Sequence, residues 1–416
     1  MSIFMEDKTP VAITRINNDD VDSAVTTALE LIDAKKIMRN DMNIVVLKVN
    51  LLSAKPPERA VCTHPEVVRA VIKWVKQFQP RRVVVTDSSG GGANLGDTER
   101  ALEISGIKKV CEDEGVEAIP LEKTERAVYT VKDPLVLHEF PSSTLLKDAD
   151  LIINLPKIKT HALTIFTCCV KNMLGTLPLK QKSKIHAQFP MIHDFSSALA
   201  DIYSVSNPQL TIVDGYLCQE GMGPSAGDVV KLDMILAGFD GIALDAVACL
   251  IAGIDVNKVR HVKIAEQRGL GTTDLARIDI KGESIDLVKR PFKLPPGSGV
   301  AGVPMPKFLA KLVGNIAFRA RVRFKQDKCV CCGTCWKNCP VNAITPPGEI
   351  KRGNIPTWNK HKCIACYCCY ETCPHEAIEL NVNMIRNLAT SKLGIAAIAG
   401  LIIVILLAIW LFGVVF

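Results

Sequence analysis

Aromatic residues are scarce in this chain: Phe, Trp and Tyr together make up 5% of its 416 residues. That scarcity leaves little with which to stack on nucleic-acid bases. A dominant charge is missing as well. Fifty basic residues face 43 acidic ones, and the formal excess of +7 is spread along the chain. Such a balance suits a solvated surface and not a nucleic-acid footprint, so no nucleic-acid partner is expected. The opening residues, MSIFMEDKTP, lack a basic stretch followed by an apolar one. No secretory signal is therefore expected, and the thiols are expected to stay reduced.

Cysteine is abundant instead, with 16 residues. Ten fall in two runs, and eight of these are regularly spaced. "CVCCGTCWKNCP" supplies Cys329, Cys332, Cys335 and Cys339, and "CIACYCCYETCP" supplies Cys363, Cys366, Cys369 and Cys373. Both follow C-x2-C-x2-C-x3-C-P, the run of bacterial-type two-cluster ferredoxins, whose fourth cysteine ligates the other cluster. The pattern implies two [4Fe–4S] clusters. Cys329, Cys332, Cys335 and Cys373 would hold one; Cys363, Cys366, Cys369 and Cys339 would hold the second. Structural zinc normally takes two CxxC pairs and fits this serial spacing poorly. Cys331 and Cys368 fall outside the pattern and read as bystanders. "VNAI" and "HEAI" after the two prolines read as helix-like, and "AIELNV" as a closing strand.

Residues 1–290 alternate apolar strands with amphipathic helices. "NIVVLKVN", "RRVVVTD", "DLIINLP" and "QLTIVDG" are runs of buried-strand type, and "HPEVVRAVIKWVKQF" is a helix with proline near its start. Strands apolar throughout, separated by helices, predict an α/β fold with a mostly parallel sheet covered on both faces. Residues 291–324 read as a linker with a basic amphipathic segment, 325–382 as a small ferredoxin-like α+β module, and 383–392 as a tether.

Polar groups collect where the strands end. Lys48 to Asn50, Asp87 to Gly92, Lys157 to His161, and Asp214 with Gly215 each follow an apolar run. In an open α/β sheet, ligands bind beyond the carboxyl ends of the strands. If those strands are parallel, Lys157, Lys159, His161 and Lys171 line a cationic pocket for a carboxylate or phosphate. A solvated surface accounts for lysines at strand ends equally well, and both readings stand on sequence alone. "SSGGG" offers backbone N–H groups to a phosphate, but it carries neither G-x-G-x-x-G nor a Walker lysine–serine, so a plain strand–helix turn suits it as well. His161, His186 and His193 with Asp214 or Glu220 are possible metal ligands without a diagnostic spacing. Asp240 and Asp245 flank a helix start, as caps or as catalytic acids. Cys168 and Cys169 sit beside Lys171, where buried thiols and activated thiols are both conceivable.

The segments "LKVN", "THPEVVRAVI", "VVVTDSSGGG", "LPKIKTH", "VKNMLG", "IVDG" with "EGMGPSAG", and "ALDAVACLIAG" occur in an order that resembles the family called domain of unknown function 362. The resemblance spans roughly Val11 to Gly282 and implies a shared fold and site. It supplies no reaction.

The last 24 residues, Leu393 to Phe416, carry no charge. Such a run is long enough to cross a hydrocarbon core of about 30 Å. A transmembrane helix at 393–416 is therefore expected, with the rest of the chain on the cytoplasmic side. The combined expectation is a membrane-anchored iron–sulfur oxidoreductase that exchanges electrons with an anionic small molecule and an unidentified redox partner. The alternative is a non-catalytic relay or maturation protein serving another enzyme.

Overall fold

The computed structural model describes residues 8–90, 96–206, 208–295 and 321–381. Its first twelve strands are β1 (Thr9–Arg15), β2 (Ile44–Val49), β3 (Arg82–Asp87), β4 (Glu117–Pro120), β5 (Arg126–Thr130), β6 (Glu139–Ser143), β7 (Leu151–Leu155), β8 (Lys157–His161), β9 (Ile165–Thr167), β10 (Leu210–Glu220), β11 (Asp228–Gly238) and β12 (Ile278–Gly282). Ten of them form one sheet, in the order β12-β1-β11-β10-β7-β2-β3-β4, with β8 paired to β10 and β9. β10, β7, β2, β3 and β4 run parallel, and β11 is antiparallel to both β10 and β1. β5 and β6 make a separate hairpin.

The strands are apolar throughout because both faces are covered. Val45, Leu47 and Val49 of β2 pack into one apolar layer with Val25, Leu29, Val68 and Val71. Val46 faces the opposite layer, which holds Leu199, Val247 and Val262. The covering helices are amphipathic. His64 accepts from the Glu66 amide at the start of Pro65–Lys76, and Asp240 accepts from Ile242 and Ala243 at the start of Gly241–Ile251. Asp240 is thus a helix cap.

This topology sends the carboxyl ends of β2, β3 and β7 to one edge of the sheet. Two lysines near that edge are wholly buried in ion pairs. Lys48 of β2 meets Asp87 of β3 at 2.9 Å, and Lys157 of β8 meets Asp214 of β10 at 2.7 Å. Asp87 also accepts from the amides of Leu51 and Ser88, so its carboxylate ties two chain turns to one ammonium group. Removing one partner of such a pair leaves an uncompensated charge, at a cost of about 3–5 kcal/mol. Gly175 lies against the first pair. A Cβ there would stand 2.2 Å from Asp87 Oδ1 and 2.7 Å from Lys48 Nζ.

The iron–sulfur module is built on two short antiparallel pairs: β13 (Arg321–Phe324) with β16 (Ile378–Asn381), and β14 (Ile344–Thr345) with β15 (Thr357–Trp358). β16 is the expected closing strand. Its partner β13 occupies the last four residues assigned to the linker. "VNAI" and "HEAI" are not helical: each turns sharply, at Asn342 (φ 49°) and Glu376 (φ 51°), and then enters a strand. The module packs on the α/β body through Lys55 and Arg59, which pair with Glu376 at 3.0 and 2.8 Å, and through Tyr370, whose hydroxyl donates to the Met222 carbonyl.

One part of the expected fold class is corrected. Among the described residues no helix is long and apolar enough to cross a membrane. The transmembrane helix at 393–416, and the single-pass membrane location derived from it, are withdrawn. An apolar run meets the length requirement for a span, but length and apolarity alone do not establish a spanning helix. Residues 382–416 and 296–320, which include the tether and most of the amphipathic segment, lie outside the described residues.

Gly175→Ala should destabilise the protein by about 1–3 kcal/mol, the usual range for overpacking, read as a lower urea midpoint with unchanged iron content. An unchanged midpoint would mean that the Lys48–Asp87 pair yields to a methyl group without cost.

Candidate functional site

A cavity of about 80 Å³ opens at the strand-end edge. The α/β body contributes Asn50, Asp87, Ser88, Gly90, Lys159, His161, Lys171, Asn172, Lys182 and His186 to its lining. The iron–sulfur module contributes Asn338, Cys368, Glu371 and Thr372. Three of the four residues expected to form a cationic pocket line this cavity. The fourth, Lys157, does not: its ammonium is held by Asp214 and donates to the Leu217 carbonyl at 2.6 Å.

β8 explains how cations come to be buried here. All five of its residues are buried, and its lysines find fixed acceptors. Lys159 donates to Asn50 Oδ1 at 2.6 Å and to the Val61 carbonyl at 2.8 Å. Lys182 donates to the carbonyls of Ser88 and Leu177 at 2.8 and 2.9 Å. Lys171 makes no hydrogen bond or ion pair among the described residues. Burial pulls Lys159 down to about 7, with Lys157 and Lys171 adding to the effect while Cys62 and Glu371 oppose it. It pulls Lys182 down to about 8 against the attraction of Asp87.

His161 is buried and held neutral, its pKa driven well down by burial and by the nearby Lys171. Its Nδ1 accepts from the amides of Leu163 and Thr164 at 3.1 and 3.4 Å. The ring proton therefore sits on Nε2. That atom lies 3.3 Å from Glu371 Oε1, within ion-pair reach but outside hydrogen-bond geometry. Both atoms are left without a hydrogen-bond partner. His186 stacks on Phe195 with ring centroids 4.1 Å apart, and burial takes it down to about 3.

Asn172 is fixed by its neighbours. Its Nδ2 donates to Asn154 Oδ1 at 2.7 Å and to the Val49 carbonyl at 3.3 Å, while Asn154 Nδ2 donates to the Cys169 carbonyl. With both donors spoken for, the amide orientation is set, and Asn172 Oδ1 remains buried without a donor.

The cysteines of the module lie near one another. Burial pushes Cys335 up to about 12, and the thiols acting on it are Cys373, Cys332 and Cys329. The thiols acting on buried Cys369 are Cys366, Cys363, Cys335 and Cys339. A second, small cavity of about 20 Å³ lies between Cys339, Cys363, Cys366 and Cys369, walled by Val322, Ile344 and Trp358. Backbone amides point at sulfur: Ala343 at Cys339 (3.1 Å), Ala377 at Cys373 (3.3 Å) and Ala365 at Cys363 (3.4 Å). Such donors stabilise thiolates bound to iron, so the residues fit an iron–sulfur group.

Other candidates disperse. His193 is exposed beside Asp194, and Glu220 pairs with Lys293, so the suggested histidine metal site does not assemble. Cys168, Cys169 and Asp245 do lie close together. Asp245, however, accepts from the amides of Cys169 and Val170, and burial raises both thiols. They are buried thiols, not activated ones. Gly91 and Gly92 of the glycine-rich turn lie outside the described residues. Lys182 and Glu371 were not anticipated. The only sequence signal for Glu371 is an acid set between two cluster cysteines.

Two family descriptions match the chain: Domain of unknown function (DUF362) over residues 45–250 and 4Fe-4S binding domain over residues 356–379. The chain is 30% identical over 257 residues to the thylakoid-associated protein sll1697 of Synechocystis sp. (strain ATCC 27184 / PCC 6803 / Kazusa), an overlap of 60% of this chain and 76% of that protein. The lactate racemase apoprotein of Thermoanaerobacterium thermosaccharolyticum overlaps 60% of this chain and 58% of its own, with 12% identity and a TM-score of 0.40.

The buried lysines predict a pH dependence. An unfolded lysine stays protonated to about pH 10. Between about 7 and 10 the unfolded state therefore holds more protons than the folded one, and stability rises with pH. Measured against Lys159→Met protein, in which the opposing contribution of the buried thiols is the same, wild-type denaturant midpoints should climb from pH 7 to 9, by up to about 1.4 kcal/mol per pH unit. Equal slopes in the two proteins would mean that Lys159 stays charged in the fold.

Proposed function

This chain belongs to the DUF362 family and carries a 4Fe–4S binding domain, and on that premise we propose that it is an oxidoreductase that exchanges electrons with a small anion held in the strand-end cavity. The observation that carries the reading is the shared lining of that cavity. Lys159, His161, Lys171 and Lys182 come from one side, and Cys368, Glu371 and Thr372 come from the other. Cys368 is the covalent neighbour of Cys369, so the cavity wall and a cluster ligand are about 3.8 Å apart along the backbone.

Two [4Fe–4S] clusters are proposed, with the ligand sets expected from spacing: Cys329, Cys332, Cys335 and Cys373 for one, Cys363, Cys366, Cys369 and Cys339 for the other. The nearness of the thiols and the small cavity among the second set support this division. The clusters would supply one-electron transfer. The chain's own residues do the rest. Lys171 offers an ammonium with no hydrogen bond or ion pair among the described residues, and Lys159 and Lys182, when protonated, each keep one N–H beyond those given to protein acceptors. His161 Nε2–H is a neutral donor whose direction the Leu163 and Thr164 amides fix. Burial lowers the effective dielectric around all four, which strengthens their hold on an anion. In the first ligand set Cys332 is exposed while Cys329 is buried, which supports a redox partner approaching from the Cys332 side.

Anaerobically prepared protein should contain about eight irons per chain. Cys331→Ser should keep both clusters, whereas Cys332→Ser should lose or convert one. Lys171→Met should retain its iron while reoxidation of the dithionite-reduced protein by a panel of small oxyanions slows by about 10²–10³-fold, as when a preorganised donor is removed. Zinc in place of iron would overturn the cluster assignment. Oxyanions that bind without reoxidising the protein, together with rapid electron transfer to a second protein, would favour the relay.

A further inference from the structure

Resting on the reading above, we propose that the cavity selects a compact dianion that carries one hydroxyl group, the chemistry shared by hydrogen phosphate and a short 2-hydroxydicarboxylate. Three observations on the lining define this ligand: its room, its charge and its unmatched acceptors.

Room comes first. One water needs about 10–15 Å³ of such volume. A cavity of about 80 Å³ therefore takes about five to eight non-hydrogen atoms. That volume fits a tetrahedral oxyanion or a two- to three-carbon acid.

Charge comes next. Lys159, Lys171 and Lys182 line the cavity, and Lys48 stands behind Asp87 in its wall. Against these four lysines stand two carboxylates, Asp87 and Glu371. Burial leaves Lys159 and Lys182 partly neutral near pH 7.5, so a dianion meets two positive charges as its binding draws protons back onto them. A monoanion would leave one buried cation without a counter-charge, which is the costly state.

Hydrogen bonding adds the hydroxyl. A plain dianion such as sulfate or malonate only accepts. It would use the Lys171 ammonium and His161 Nε2–H, but it would leave Asn172 Oδ1 and Glu371 Oε1 as buried acceptors with nothing to accept. The carbonyls around Asn172 forbid an amide flip that would turn this acceptor into a donor. A ligand O–H aimed at either oxygen satisfies it. A buried acceptor left empty costs about 1–3 kcal/mol, so the ligand that supplies a donor gains over its isostere that does not.

The test compares near-isosteric pairs by anaerobic calorimetry on the holoprotein at about pH 7.5: hydrogen phosphate against sulfate, and hydroxymalonate against malonate, with acetate as monoanion. The hydroxyl-bearing member should bind about 5–100-fold tighter in at least one pair, the range that the acceptor cost implies. Acetate should be weaker than every dianion, and Lys171→Met should weaken all of them. Sulfate and malonate equal to or tighter than their partners would overturn the hydroxyl requirement. Acetate as tight as the dianions would overturn the charge requirement. These measurements are independent of electron transfer. Tight, hydroxyl-selective binding without any redox response would uphold the inference while removing the oxidoreductase reading. Redox turnover of a monoanion would do the reverse.

Discussion

Burying ammonium groups is the constraint around which the rest of this molecule is arranged. A lysine loses its hydration when it enters the protein interior, and the loss is tolerated only where acceptors or counter-charges wait at fixed positions. Lys48, Lys157 and Lys159 are each at most 1% exposed. Each is met by partners on other chain segments: Asp87 for Lys48, Asp214 for Lys157, and Asn50 with the Val61 carbonyl for Lys159. Those partners lie on or just beyond neighbouring strands. Only a parallel arrangement of β2, β3 and β10 with β8 brings them to one edge. Gly175 has no side chain because the first of these pairs fills the space where one would sit.

The same constraint couples the two parts of the chain. Glu371 belongs to the cysteine-rich module, yet the cations near it, Lys171 and Lys159, belong to the α/β body. Burial raises the Glu371 pKa while those lysines pull it down, so the carboxylate is as dependent on them as they are on it. The module thus closes the cavity and brings in a counter-charge. A redox group beside a cavity is useful only if the cavity holds its ligand against water, and the buried lysines of the α/β body make that hold possible.

Much of this was legible in the sequence. The cysteine spacing named the module, because ligand geometry imposes an order along the chain that little else produces. The run of Lys157, Lys159, His161 and Lys171 left a pocket and a solvated surface equally open; the fold buries Lys157 and Lys159 and places Lys159, His161 and Lys171 around one cavity. Burial was not legible. Lys157 meets Asp214 and Lys159 meets Asn50, partners more than fifty residues away in sequence, so a paired interior lysine and a solvated one look alike in one dimension. Glu371 was hidden for a different reason: inside a cysteine motif every intervening residue reads as filler. The apolar C-terminal run lies outside the described residues, and among those that are described no helix is long and apolar enough to cross a membrane.

The central claim is that a small anion binds beside the second group of cysteines, in a cavity whose wall includes Cys368, the covalent neighbour of Cys369. Pulsed electron–nuclear hyperfine spectroscopy on the reduced holoprotein with bound phosphate tests it most directly. The account predicts a resolved coupling between the unpaired electron and the phosphorus nucleus, absent in Lys171→Met protein of equal iron content. Phosphate that binds by calorimetry but shows no phosphorus coupling would place the anion away from the iron and contradict the account.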